Sequence, residues 1–247
     1  MERTKGEFLM SFASLLEERL TQNGLERFIP LSDPLERLTA LLLEFNAKTN
    51  ITAITDPAEI IVKHYADCLT IVDDIPADAH LMDVGAGGGF PSLIVALARP
   101  DVRVTALDST AKKLDFITLA ARGMRINNLS VLNMRAEAAG QHPAYRERYD
   151  AVCARAVARM NILSELCLPL VRPGGKWIAM KGAGGEEEMT EASRAIAALG
   201  GNAAENRRIS LLCGDETLSR CIITVQKAHP TPKIYPRAYA QISKKPL

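Results

Sequence analysis

The residues best suited to chemistry lie in one stretch, L-M-D-V-G-A-G-G-G-F-P-S at 81–92, and at two acidic positions downstream of it. Gly85, Gly87 and Gly89 follow Asp83 as D-x-G-x-G-x-G. Glycines let a chain turn sharply and let a ligand approach with no Cβ in the way. Dinucleotide enzymes favour G-x-G-x-x-G, which brings a helix N-terminus onto a pyrophosphate. The spacing here, beside a carboxylate, suits a ligand with an ammonium group and no phosphate, and S-adenosylmethionine is such a ligand. Asp108 stands 25 residues after Asp83, at the end of the next apolar run. Its two oxygens can accept both hydroxyls of a ribose, or it can merely cap a helix starting at Ser109. Ala136 and Glu137 follow a third apolar run, where an adenine would lie. Each feature alone is a turn or a cap; together, at the ends of three successive strands, they point to that cofactor.

The elements that must position these residues are legible from periodicity. Strands are predicted at 80–84, 102–107, 129–133, 149–154 and 175–181, with helical stretches between them. That alternation predicts a parallel sheet with helices on both faces. Two further strands, ISLLC and RCIITVQK, are joined by Gly214-Asp215-Glu216, and so short a link implies antiparallel pairing. The expected fold is therefore α/β: a Rossmann-like, mostly parallel seven-stranded sheet with a C-terminal antiparallel hairpin, as in class I S-adenosylmethionine-dependent methyltransferases. An N-terminal helical extension over 1–78, a core over 79–228 and a basic tail over 229–247 would form one structural domain. In the extension, helices are expected near 6–22 (stopped at Asn23-Gly24), after a polar cap at Ser32-Asp33-Pro34, and from the capping-box sequence D-P-A-E at 56–59.

A net charge of +1 neither demands nor excludes a nucleic-acid partner, since a local patch suffices. No apolar run reaches the roughly 18 residues of a membrane span. The N-terminal stretch is broken by Glu7, Glu17, Glu18 and Arg19, which suits an amphipathic helix and not a signal peptide. The five cysteines have no C-x-x-C and read as buried free thiols; the four histidines have no metal-ligand spacing. The expectation is a cytoplasmic monomer without metal.

Several separate segments resemble the GidB/RsmG family, from about residue 35 to Leu247. They are FNAKTNIT (45–52), IVKHYADCL (61–69), DVGAGGGFPS (83–92), LDSTAKKLDFI (107–117), CARAVA (153–158), AMKG (179–182) and the terminal YPRAYAQISKKPL. Ser92, Cys68, Ala240 and Ile242 depart from the family's usual residues. The resemblance implies S-adenosylmethionine contacts at Gly85, Phe90, Asp108, Ser109, Thr110, Ala136, Glu137 and Arg155. It implies methyl transfer to N7 of a guanine in 16S ribosomal RNA, at nucleotide 527 in the usual rRNA numbering, with the RNA or the small ribosomal subunit as partner. Guanine N7 offers a lone pair and carries no proton, so the reaction needs alignment and no general base. Arg155, Lys181 and His64 are the candidates for the reacting end. Their bland readings are a surface arginine, a local ion pair and a hydrogen-bonded core histidine.

RNA contact would come from patches: Arg122 and Arg125 on one helix, Arg207 and Arg208, and the acid-free segment 226–247 with Lys227, Lys233, Arg237, Lys244 and Lys245. That segment reads as a proline-stiffened strap for phosphates, or as a tail packed on the core through Ile234, Tyr235 and Tyr239. The competing functions are a methyltransferase for another RNA, a protein or a small molecule, and a nicotinamide-dependent oxidoreductase. G-x-G-x-G spacing and the closing hairpin disfavour the last.

Overall fold

The computed structural model describes residues 11–247; the portion of the first helix expected at 6–10 lies outside the described residues. The seven strands are β1 (His80–Val84), β2 (Arg103–Asp108), β3 (Leu129–Asn133), β4 (Tyr149–Arg155), β5 (Val171–Lys181), β6 (Glu205–Cys213) and β7 (Glu216–Gln226). They form one sheet in the order β3-β2-β1-β4-β5-β7-β6. Strands β1 to β5 are parallel, and β7 runs antiparallel to both β5 and β6. The order reverses between β1 and β4. At such a switch point the connections leave the sheet on opposite sides and open a crevice beyond the carboxyl ends of the strands.

The extension holds α1 (Phe12–Gln22), α2 (Ser32–Thr49), α3 (Pro57–Ile60) and α4 (Asp67–Leu69), with a wide π-turn over Ile61–Ala66 between the last two. Leu16, Leu20, Leu35, Leu38, Leu42, Ile60 and Ile61 are fully buried and join the same apolar cluster as Leu81, Ile94 and Phe116 of the sheet and its helices. The extension is thus continuous with one face of the core. Asp56 caps α3 as expected, its carboxylate accepting from the Glu59 N–H. Ser32, by contrast, does not cap α2: it is already helical, because a 3-10 turn over Glu26–Leu31 leads straight into the helix.

Core helices are α5 (Ser92–Ala98), α6 (Ala111–Gly123), α7 (Ala136–Gln141), α8 (Met160–Cys167), α9 (Gly185–Glu191) and α10 (Ser193–Ala198), with α11 (Tyr239–Lys244) in the tail. Helix α6 begins at Ala111, after the turn that Asp108 makes. It ends at Gly123, so Arg125 lies beyond it with φ +58° and does not share its face with Arg122. Four cysteines are buried and Cys213 is half-buried, all as free thiols. Among the described residues no helix is long and apolar enough to cross a membrane.

The tail is bolted to the core. The Arg146 guanidinium donates to the carbonyls of Gly140, Thr231 and Tyr235 at 2.7–2.8 Å and to that of Pro232 at 3.3 Å. Arg237 grips the fully buried Glu165 from Nε and Nη2, at 2.9 and 2.6 Å. Ile242 is fully buried, which contributes about 2 kcal/mol of apolar burial. Lys227 is not a surface cation. Its ammonium is buried against Glu147, Thr231 and the Leu168 carbonyl, and burial pulls its pKa down to about 8. Of the expected anchors, Tyr235 is half-buried, but Ile234 and Tyr239 are exposed. Arg207 and Arg208 are committed to ion pairs with Asp74 and Glu186. The Arg237–Glu165 pair carries a prediction. Arg237→Ala leaves the buried Glu165 carboxylate the backbone N–H of residue 237 but no cation, and should cost about 3 kcal/mol in denaturant unfolding; a loss under about 0.5 kcal/mol would show that the pair does not hold the tail.

Candidate functional site

A cleft of about 360 Å³ opens at the carboxyl ends of β1, β2 and β3. Its walls include Gly85, Asp108, Ser109, Thr110, Ala136 and Glu137, six of the residues expected from sequence. Asp108 is the hinge of this wall. One carboxylate oxygen accepts from the Gly87 N–H at 3.0 Å and the other from the Thr110 N–H at 2.8 Å. The carboxylate therefore ties the glycine loop to the turn that precedes α6 and does not cap the helix, whose N-cap is Thr110. Glu137 lies in the first turn of α7 and pairs with Arg135. Two carboxylates with hydroxyl and amide neighbours suit the hydroxyls and amine of an adenosine and repel a pyrophosphate.

The glycine loop is left-handed at Gly85, Gly87 and Gly89, with φ of +72°, +55° and +86°. The reasons differ. A Cβ on Gly85 would meet Val157 at 2.6 Å, so its smallness admits the segment after β4. A Cβ on Gly89 would meet Leu93 at 2.6 Å and Ile117 at 3.1 Å, so its smallness serves packing of α5 and α6. Around Gly87 the space is open, but Gly87 is not among the cleft's lining residues. Asp83 is not among the cleft's lining residues. It is buried, accepts from the Ser92 backbone N–H at 3.1 Å and from the Ser92 hydroxyl, and burial pushes its pKa up to about 6 against those bonds. Its second oxygen is buried with no N–H or O–H partner among the described residues.

Phe90 and Arg155 are not among the residues that line this cleft, and they form a second cluster with His64. The His64 and Phe90 rings stack at 4.5 Å and 7°, and the Arg155 guanidinium lies 5.7 Å from the Phe90 ring centre. Arg155 is the last residue of β4. It donates to the Lys63 carbonyl at 3.0 Å, to Asp67 at 3.1 Å and to His64 Nδ1 at 3.2 Å. Since a guanidinium can only donate, Nδ1 must accept, and the His64 proton sits on Nε2, 3.0 Å from the Thr52 hydroxyl. Burial and the Arg155 charge lower the His64 pKa to about 3. The second oxygen of Asp67 accepts from Arg220 of β7 at 3.0 Å. Lys63 and His64 of the π-turn and Asp67 just after it all meet this one guanidinium.

Lys181, at the end of β5, donates to the Ala158 carbonyl and pairs with Glu188 at 2.8 Å. It thereby fixes the segment after β4, where Ala156 is left-handed at φ +55° and Val157 overlies Gly85. Lys113, Met134, Val157, Leu166 and Tyr239 also line the cleft and were missed. Thr52 was missed as the partner of His64. The signal for it was present in FNAKTNIT: the Asn46 side chain both donates to the Thr52 carbonyl and accepts from its N–H, at 2.9 Å each, while Asn50 ends α2 at φ +56°.

A family described as rRNA small subunit methyltransferase G matches residues 32–210. The chain belongs to the GidB family. A ribosomal RNA small subunit methyltransferase G of Moorella thermoacetica is 43% identical over 215 residues, covering 86% of this chain and 89% of its own. That of Halalkalibacterium halodurans is 40% identical over 244 residues, covering 97% and 99%. Among solved structures, a SAM-dependent O-methyltransferase from Thermotoga maritima superposes with a TM-score of 0.52 at 12% identity, covering 77% of this chain and 72% of that one. The 16S rRNA (adenine(1408)-N(1))-methyltransferase from Catenulisporales acidiphilia gives 0.51 at 14% identity, covering 67% and 94%. Both share the class I methyltransferase fold.

The buried groups make opposite demands on pH. An unfolded histidine takes a proton near 6.5, whereas His64 stays neutral to about 3. Between those values the unfolded chain binds more protons, so this contribution to stability falls as pH falls. Asp83 has a folded value near 6 against 3.8 unfolded. The folded chain then holds the extra proton, and its contribution falls as pH rises through that window. From about pH 7.5 to about pH 5, the stability of His64→Gln relative to the parent should improve by about 2 kcal/mol. That of Asp83→Asn should worsen by about 1 kcal/mol. Denaturant unfolding at the two pH values measures both, and parallel profiles for His64→Gln and the parent would contradict the assignment.

Proposed function

We propose that the cleft binds S-adenosylmethionine and that the chain transfers its methyl group to N7 of a guanine in 16S ribosomal RNA, the one at nucleotide 527 that the family resemblance implies. The observation that carries this reading is the pairing of an adenosine-type cleft, built on Asp108 and Glu137, with a braced arginine at the neighbouring strand end. The bound cofactor would supply an electrophilic methyl group on a sulfonium. Asp108, Ser109, Thr110 and Glu137 would hold its adenosine. Asp83, buried beneath the loop, would act by shaping it through Ser92 and not by direct contact.

The chain's own residues then have one task, which is alignment. Orientation alone can lower a barrier by roughly 7–11 kcal/mol in favourable cases. No base is needed for attack by N7, and His64 is not available as one, since Nδ1 accepts from Arg155 and Nε2 donates to Thr52. Its role is to aim Arg155. The guanidinium has five N–H donors, of which three are used by the protein; the others can hold guanine O6 or a phosphate. Phosphate contacts would fall to cations with no acidic partner among the described residues, and in the tail these are the exposed Lys233, Lys244 and Lys245.

Methyl transfer from labelled cofactor tests the reading directly. Label is expected in 16S RNA, offered naked or in small subunits, and to appear as 7-methylguanosine on nuclease digestion; label in another base, or only in a small molecule, would overturn the substrate assignment. Asp108→Ala should weaken cofactor binding by about 1.5–3 kcal/mol, read by calorimetry. Replacing Lys233, Lys244 and Lys245 together by alanine should make the log–log salt dependence of RNA binding shallower by about 2, and an unchanged slope would place the RNA elsewhere.

A further inference from the structure

The tail is held by neighbours of Tyr239 and not by Tyr239 itself. On one side Arg237 is locked to Glu165, and on the other Ile242 is fully buried. Gln141 of α7 adds a hydrogen bond to the Pro236 carbonyl at 2.8 Å. Between these anchors the Tyr239 ring is 38% exposed, an unusual place for a large aromatic on a pinned segment. It lines the same cleft as the Asp108–Thr110 turn, together with Arg135, Ala136 and Glu137. The Arg135 guanidinium lies 5.0 Å from its ring centre and is itself held by Glu137 at 3.1 Å.

We propose that Tyr239 is a cofactor-contacting residue, and that the C-terminal tail completes the adenine end of the cleft by presenting its ring as a stacking face. This rests on the reading that the cleft takes S-adenosylmethionine. A flat, π-rich side chain beside the residues that flank an adenine offers dispersion and quadrupole contact to a purine. Arg135 orders the ring by a cation–π contact, and its pairing with Glu137 links ring and cleft wall as one unit. Truncating the tail would therefore damage the cofactor site as well as any RNA contact, which separates this account from that of a strap acting on RNA alone.

The test is calorimetric binding of S-adenosylhomocysteine and of 5′-methylthioadenosine, which keeps the adenosine and lacks the amino acid, to the full chain. Tyr239→Ala and Tyr239→Leu should weaken both ligands about five- to tenfold, the scale of an aromatic stacking contact. Tyr239→Phe should stay within about twofold. The melting temperature of the unliganded chain should not move, because the anchors are untouched. Equal affinities for parent and Tyr239→Ala would overturn the proposal while leaving the cofactor reading intact. So would a loss confined to S-adenosylhomocysteine, which would put the ring at the amino-acid end. Failure of the parent chain to bind either ligand would overturn both.

Discussion

Much of the site's geometry depends on one buried carboxylate. Asp67 is 4% exposed and accepts from two arginines, Arg155 at the end of β4 and Arg220 in β7. Taking three charges out of water costs several kcal/mol per ion, and only close geometry with further hydrogen bonds offsets it. Those bonds are present: the Lys63 carbonyl and His64 complete the cage around Arg155. Such networks are weak evidence for net stability, and their better-attested use is to specify one arrangement over its alternatives. Here three separate parts of the chain, the extension, β4 and the closing hairpin, meet on one oxygen pair. The extension therefore supplies two of the side chains, His64 and Asp67, that hold Arg155.

The same economy runs through the rest of the crevice. Asp108 ties the glycine loop to the turn that precedes α6, Lys181 fixes the segment after β4, and Gly85 is small because Val157 lies over it. These contacts restrict backbone freedom around a cleft rather than generate a reactive group. A preorganised site suits methyl transfer to an unprotonated nitrogen, since alignment can supply the catalysis. The neutral tautomer of His64 belongs to this logic: a protonated ring could not accept from Arg155 and would repel it.

The sheet and the cleft wall were legible because they rest on local signals. Apolar runs alternating with helical periodicity mark parallel strands, and glycines and acids at strand ends mark the crevice, so Gly85, Asp108, Ala136 and Glu137 could be placed from spacing alone. What was not legible depends on long-range partners. Nothing in I-V-K-H-Y-A-D reveals the π-turn or the shared partner of Lys63, His64 and Asp67, since Arg155 lies 88 residues from Asp67. The acid-free tail looked like a phosphate strap because its counter-charges, Glu147 and Glu165, lie far back in the chain. Composition over a window registers the cations but not their distant partners. The same blindness hid Tyr239, whose position over the cleft follows only from how the tail is anchored.

The central claim is that Asp67 positions Arg155 for the transfer step. The most direct measurement is single-turnover methylation at saturating cofactor and RNA with Asp67→Asn, which keeps the shape and removes the charge. The expected result is a rate at least about tenfold slower, with S-adenosylhomocysteine affinity within about threefold of the parent, because Asp67 is not among the cleft's lining residues. A folded Asp67→Asn protein that transfers methyl at the parental rate would contradict the claim.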